Sequence, residues 1–257
     1  MSKLIAIDNG HGLNTAGKRT PLFPGGSFMH EWEFNHAVAK YLETELQRCG
    51  FETLMLSDTE EDIPLQKRTD ICNKASADFC VSIHYNAVTG TWQTIATGTE
   101  TYSYPGNVAD AKYASIIHPY VVQATGLKDR GCRQANFHMV REPKCPAILV
   151  EFGFMDNRTD ADLALQDSFR KRCAVGLAKG ICAVFGVEYV KGVDETVTEI
   201  KRYKNISEMP EFYQGYIKRW VDAGYIKGNT DGTLDFTEDM IRMLIIAERM
   251  QKKSIEN

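Results

Sequence analysis

Apolar positions along the first 186 residues fall into short runs and helical stripes that alternate. Leu4–Asp8 is a short apolar run ending in an acid and reads as a strand. Over Trp32–Cys49, Phe34, Val38, Tyr41, Leu42 and Leu46 share one stripe at the helical period, and Gly50 ends it. Phe51–Leu56 predicts a second strand and Leu65–Ala75 a second helix. Phe79–His84 is apolar on both faces, as a central strand is. Gly98–Tyr104 alternates with polar residues and predicts a more exposed strand. Val108–Thr125 is helical and stops at Gly126, Asn136–Val140 and Ala147–Phe152 read as strands, and Ser168–Phe185 is a last helix closed by Gly186. Repeated strand–helix units predict an α/β fold, a mostly parallel twisted sheet flanked by helices on both faces. In such sheets the site lies beyond the carboxyl ends of the strands.

The pattern then changes. Residues 1–188 hold the alternating units, 189–202 read as a linker, and 203–257 predict a small module of helices and turns, with helices over Phe212–Ala223 and Glu238–Met250. Amphipathic spacing of Ile217, Trp220 and Val221, and of Met240, Met243, Leu244 and Ala247, gives apolar faces that two short helices hardly satisfy alone. Those faces call for the main domain, a second chain or another partner. The stretch "GNTDGT" lacks the full set of acidic positions and the closing Glu of a calcium loop, and reads as a turn.

Composition narrows the function classes. A chain of 257 residues with 43% hydrophobic and 25% charged residues is globular in type. A net charge of −4 speaks against a nucleic-acid binder, and no apolar stretch approaches the ~20 residues of a membrane span. Met1-Ser2-Lys3 runs straight into a strand without the features of a signal peptide, so synthesis as a cytoplasmic polypeptide is expected. Seven cysteines, odd in number and without a C-x-x-C pair, read as reduced and mostly buried thiols.

Candidate chemistry gathers at strand ends. His11 follows the first strand between two glycines, His84 ends the third in "SIHYNA", and Glu151 ends a later one in "PAILVEFGFMDN". Glu31 opens the first helix in "HEWEFN". Two imidazoles and one carboxylate make a donor set suited to zinc with an open fourth position, leaving a second carboxylate as general base. Each residue also has a plainer explanation: a loop histidine held by hydrogen bonds, or a glutamate favoured at a helix start. Glu151 is harder to explain that way, because an acid directly after Ala-Ile-Leu-Val is costly to bury alone. His30 and His36 are six apart, not the four of a zincin helix, and read as surface or packing residues, as does His118. His138, in an expected strand near the active face, reads as a substrate contact or a structural histidine. Spacing alone leaves the metal site open.

Taken together, "DNGHGLNTAGKRTP", Glu31 with Asn35 four residues on, "SIHYNA" and "PAILVEFGFMDN" resemble the zinc-dependent N-acetylmuramoyl-L-alanine amidases of the type-3 family, which are autolysins, spore-wall lysins and phage endolysins. The resemblance spans roughly residues 3–186 in order. It implies a zinc amidase domain, Zn2+ held by His11, Glu31 and His84, and Glu151 as the catalytic carboxylate. The departures, Asn9 where Pro or Ala is usual and Tyr85 where Ala is usual, remove no ligand. The implied reaction is hydrolysis of the amide between N-acetylmuramic acid and the L-alanine of the stem peptide. The implied partner is peptidoglycan, with action on the cell wall after phage-type release. The C-terminal stretch resembles a single divergent S-layer-homology-like module, which implies wall binding or homo-oligomer formation. Two other classes stay open: a zinc carboxypeptidase, which needs an arginine clamp of the kind Arg130, Arg133 or Arg141 could offer, and a non-catalytic wall-binding protein.

Overall fold

The structure is a computed structural model that describes residues 2–192, 202–228, 233–238 and 240–245. Of the elements expected from sequence, most of the 189–202 linker, the "GNTDGT" turn and the helix beyond residue 245 lie outside the described residues. The chain divides into two compact units, residues 1–195 and 196–257.

In the first unit, β1 (Leu4–Asn9), α1 (Glu31–Arg48), β2 (Glu52–Met55), α2 (Leu65–Lys74) and β3 (Phe79–Asn86) come in that order. They are followed by β4 (Thr99–Ser103), α3 (Val108–Thr125), β5 (Asp129–Gln134), the single turn α4 (His138–Arg141), β6 (Ala147–Phe154), α5 (Arg158–Ala164) and α6 (Asp167–Phe185). The six strands form one sheet in the order β2-β1-β3-β6-β4-β5. β2, β1, β3 and β6 are parallel, whereas β4 runs antiparallel to β6 and carries β5 parallel to itself. This is the expected α/β sheet, mostly parallel, with helices on both faces.

Side chains of a strand alternate between faces, and the alternation assigns each face its cover. Ile5 and Ile7, Phe79, Val81 and Ile83, and Ile148 and Val150 pack under α1, α3, α5 and α6 in the main core. Ala6, Cys80 and Ala147 face the other way, under Cys72 of α2 and Met139 of α4. Further along the same strands this second face turns polar, through Asp8, Ser82, His84 and Glu151. All seven cysteines are free and five are buried.

Three expectations fail. The strand expected over Asn136–Val140 is the short helix α4, and the strand of that region lies earlier, at β5. Met139 and Val140 are both buried, which successive strand residues facing one core cannot be. β5 is polar and largely exposed, and is a strand because it pairs with β4 at the sheet edge. The expected exposure of β4 is also wrong, since Thr99, Glu100, Thr101 and Ser103 are all buried. Their polar atoms are partnered: Thr99 Oγ1 lies 2.9 Å from Thr125 Oγ1, and Thr101 Oγ1 lies 2.9 Å from His118 Nδ1. Finally, the C-terminal unit is not wholly helical. It contains β7 (Arg202–Tyr203), a tight turn of helix at Ile206–Glu208, α7 (Glu211–Asp222) and β8 (Phe236–Thr237), with β7 and β8 paired antiparallel. Tyr203 and Phe236 of that ribbon join Met209, Tyr213, Ile217, Ile241 and Ile245 in a small core of its own.

Candidate metal centre

The loop after β1 is fixed by its backbone. Gly10 N–H donates to Ile83 O (3.2 Å), Leu13 N–H to Glu60 O (2.8 Å) and Gly12 N–H to Thr15 Oγ1 (2.9 Å). His11 sits at φ 67°, the left-handed region that non-glycine residues occupy at a cost. Beneath the loop, a Cβ on Gly10 would lie 2.1 Å from the His84 ring, so only glycine lets that imidazole lie against the backbone. Glu31 is the first residue of α1, and its N–H donates to Lys18 O (2.9 Å), which ties the helix start to the same loop.

These elements bring His11, Glu31 and His84 together, with one donor atom from each within 4.8 Å of the others. Glu31 Oε1 accepts from His84 Nδ1 (3.0 Å), the Tyr85 N–H (3.2 Å) and Asn35 Nδ2 (3.3 Å). Burial works to lower the His84 imidazole, but the hydrogen bond and charge of Glu31, with Glu151 and Asp8, outweigh it and hold it above the ordinary range, so metal binding there displaces a proton. His11 Nε2 and Glu31 Oε2 stand 3.4 Å apart. Both are buried and neither has a hydrogen-bond partner. Burial pushes the His11 imidazole down to about 4, against the pull of Glu31. Burial also works to raise Glu31, but the hydrogen bond and charge of His84, with His11 and Lys18, outweigh it and hold the acid at about 2. A neutral imidazole, a second imidazole and an ionised carboxylate, with the unpaired His11 Nε2 and Glu31 Oε2 facing one another, fit a divalent metal of the zinc type.

Glu151 lies beside this cluster. It is the register partner of His84 on the neighbouring strand, and its Oε2 is buried without a hydrogen-bond partner. Burial pushes its carboxyl up to about 8, opposed by His84 and reinforced by Glu31. Just past this pair the β3–β6 register shifts, with two residues of β3 opposite three of β6. Such bulges occur beside active sites.

Residues 5–183 match the family model described as N-acetylmuramoyl-L-alanine amidase, Amidase_3. The chain belongs to this amidase family. It is 35% identical over 187 residues to the sporulation-specific N-acetylmuramoyl-L-alanine amidase of Bacillus subtilis (strain 168), covering 72% of this chain and 69% of that one. It is 30% identical over 199 residues to the endolysin of Bacillus phage SPP1, covering 75% of this chain and 69% of that one. Among solved structures, the catalytic domain of the amidase CwlV from Bacillus (Paenibacillus) polymyxa var. colistinus superposes with a TM-score of 0.66 at 32% identity, covering 72% of this chain and 99% of that one.

Within this amidase domain the structure adds residues that sequence did not single out. Glu100 is the register partner of Glu151 on its other side and is 2% exposed. Read from alternation, it belonged to an exposed strand; its buried carboxylate accepts from Asn86 of β3, Tyr102 of β4 and Arg130 of β5 and is ion-paired with Arg133 of β5. Arg68 of α2 is buried, pairs with Asp8 at 2.7 Å, and donates to His11 O at 3.0 Å, so a helix on the far side of the loop holds the His11 backbone. Nothing in the local pattern of α2 marks that role. Asn35, noted only for its spacing, donates to Gly10 O at 3.0 Å as well as to Glu31. The other histidines stand apart. His30 precedes α1, with its N–H on Glu33 Oε2 (2.6 Å). His36 stacks on Trp32 and pairs with Asp58. His118 is buried between Thr101 and Asp129. His138, on helix α4 and not in a strand, lies 3.1 Å from Thr69 Oγ1. Among the described residues, no helix is long and apolar enough to cross a membrane.

Proposed function

We propose that the protein is a zinc-dependent peptidoglycan hydrolase that cleaves the amide between N-acetylmuramic acid and the L-alanine of the stem peptide. The observation that carries this reading is the His11–Glu31–His84 cluster, in which His11 Nε2 and Glu31 Oε2 are buried without a hydrogen-bond partner, set against the unpartnered Oε2 of Glu151 in an amidase-family fold. Bound there by His11, Glu31 and His84, zinc would supply a Lewis acid for the carbonyl and lower the pKa of a water to about 7. Glu151 takes the proton of the attacking water and returns it to the departing amine nitrogen, so that one C–O bond forms as the C–N bond breaks. Glu31 holds the His84 ring in place through Nδ1. Arg68, through the His11 carbonyl, keeps the first-strand loop in its left-handed turn. No serine or cysteine nucleophile is called for.

Mass spectrometry of digested peptidoglycan tests the reading. The expected products are intact glycan chains and stem peptides with a new L-alanine amino terminus, lost on chelation and restored by zinc. Release of single carboxy-terminal amino acids instead would identify a carboxypeptidase. No release of any fragment by the zinc-loaded protein would leave only a wall-binding role. The relatives named above support action at the cell wall. We assign wall binding or self-association, and not chemistry, to the C-terminal unit, because no candidate metal-binding cluster is found among its described residues.

A further inference from the structure

The strongest unassigned feature is a pair of guanidinium groups beside the catalytic carboxylate. Arg130 Nε and Arg133 Nε reach the same oxygen, Oε1 of Glu100, at 2.7 and 3.1 Å. The other oxygen accepts from Tyr102 OH (2.8 Å) and Asn86 Nδ2 (3.1 Å). Glu100 is thereby saturated, and two cations share one anion. Among the described residues neither guanidinium has another hydrogen-bonding partner; Arg130 additionally lies over the Phe154 ring at 4.9 Å. Both side chains keep solvent access, 23% for Arg130 and 46% for Arg133. Their remaining N–H groups point from a fork already oriented by a buried acid, which lowers the entropy lost when they bind an anion.

Position gives the pair its meaning. Across the sheet, His84, Glu151 and Glu100 are successive register partners on β3, β6 and β4. Neighbouring strands are about 4.8 Å apart, so the arginines flank the reacting amide at a reach of about one to three residues of extended peptide. Two guanidinium groups on the single carboxylate of Glu100 leave one net positive charge at this place.

Resting on the amidase reading above, we propose that Arg130 and Arg133, held by Glu100, form a subsite for a carboxylate of the stem peptide close to the scissile amide. A branch carboxylate on the second residue and the carboxylate ending the peptide offer the same chemistry, and the experiment separates them. Three soluble muramoyl-peptides serve as probes of the zinc-loaded full chain: both carboxylates free, the branch amidated, or the chain end amidated. The wild type is expected to lose about tenfold in kcat/KM, mainly through KM, when one of the two is amidated, which also assigns the carboxylate. Arg133→Gln is expected to bring the acid-to-amide ratio close to one, and Arg133→Lys to leave it in between, because an ammonium keeps the charge and loses the fork. A merely structural arginine would lower all three substrates alike. Equal turnover of all three probes by the wild type, or an unchanged ratio in both variants, overturns the subsite while leaving the amidase reading intact. No hydrolysis of any probe by the wild type overturns the amidase reading itself.

Discussion

Glu151 is useful and costly for the same reason. Its Oε2 is buried without a hydrogen-bond partner, and in the metal-free protein burial raises its pKa to about 8. The folded state then holds a proton that the unfolded chain releases near pH 4.5, and the metal-free protein loses stability from this group as pH rises from about 4.5 to 8. Glu31 acts in the opposite sense: its acid is held at about 2, so its stabilisation is complete above pH 4.5 and lost as pH falls towards 2. Denaturant titrations of chelated protein at pH 5 and 8 are expected to show a fall with pH, on the order of a few kcal/mol, that Glu151→Gln removes. An equally steep fall in the variant would refute this assignment. With zinc present, Glu151→Gln should retain the metal and lose about 10²- to 10⁴-fold in turnover, because an amide cannot accept the proton of water. His84→Ala should instead lose the metal. Equal zinc content in His84→Ala and wild type would remove His84 from the ligand set.

The elements contribute by approaching one another at the ends of the strands. Arg68 on α2 and Asp8 on β1 are each about 1% exposed and form a buried ion pair, with Ser82 of β3 donating to the other Asp8 oxygen. Removing one partner of such a pair leaves an uncompensated buried charge, which costs about 3–5 kcal/mol. Arg68→Met is therefore expected to lower the unfolding midpoint. Because Arg68 also holds the His11 carbonyl, the variant should bind zinc more weakly as well. A variant with reduced stability and undiminished zinc affinity would confine Arg68 to the core. At the far edge, α3 begins at Asn107, whose side chain accepts from the N–H groups of Ala109 and Asp110, and ends at Gly126 in the left-handed conformation. Those two residues are visible in the sequence and account for the agreement of this helix with its expected bounds.

At the scale of the whole molecule, the first unit includes more than its last helix. Tyr189 OH donates to Glu45 Oε2 at 2.6 Å, and Val190 N–H to Cys49 Sγ at 3.4 Å, so the first residues of the expected linker pack against α1 and its end. Truncation after Gly192, which keeps those contacts, is expected to preserve activity on a small muramoyl-peptide. It should reduce lysis of intact walls or change the oligomeric mass, since the removed unit carries exposed Phe212 and Tyr225 beside its own core. A truncated protein equally lytic on walls, with the oligomeric state of its parent, would leave the second unit without a role in either.

Local signals gave most of the strand–helix order and the glycine stops, and marked His11, Glu31, His84 and Glu151 as candidates whose roles came from the family resemblance, because period, caps and an acid after an apolar run are properties of neighbouring residues. What the tertiary structure alone decided is everything that depends on which strands adjoin. β4 looked exposed because its alternation is polar, yet it lies between β6 and β5, and its polar atoms are buried on partners from β3, α3 and β5. The 136–140 segment looked like a strand because short apolar runs do not distinguish strand from helix. The arginines of β5, visible in the sequence only as separate residues, became a pair when the antiparallel insertion of β4 set Glu100 beside Glu151. Register between distant strands has no local signature, and in this protein it is register that sets the arginine pair beside Glu151.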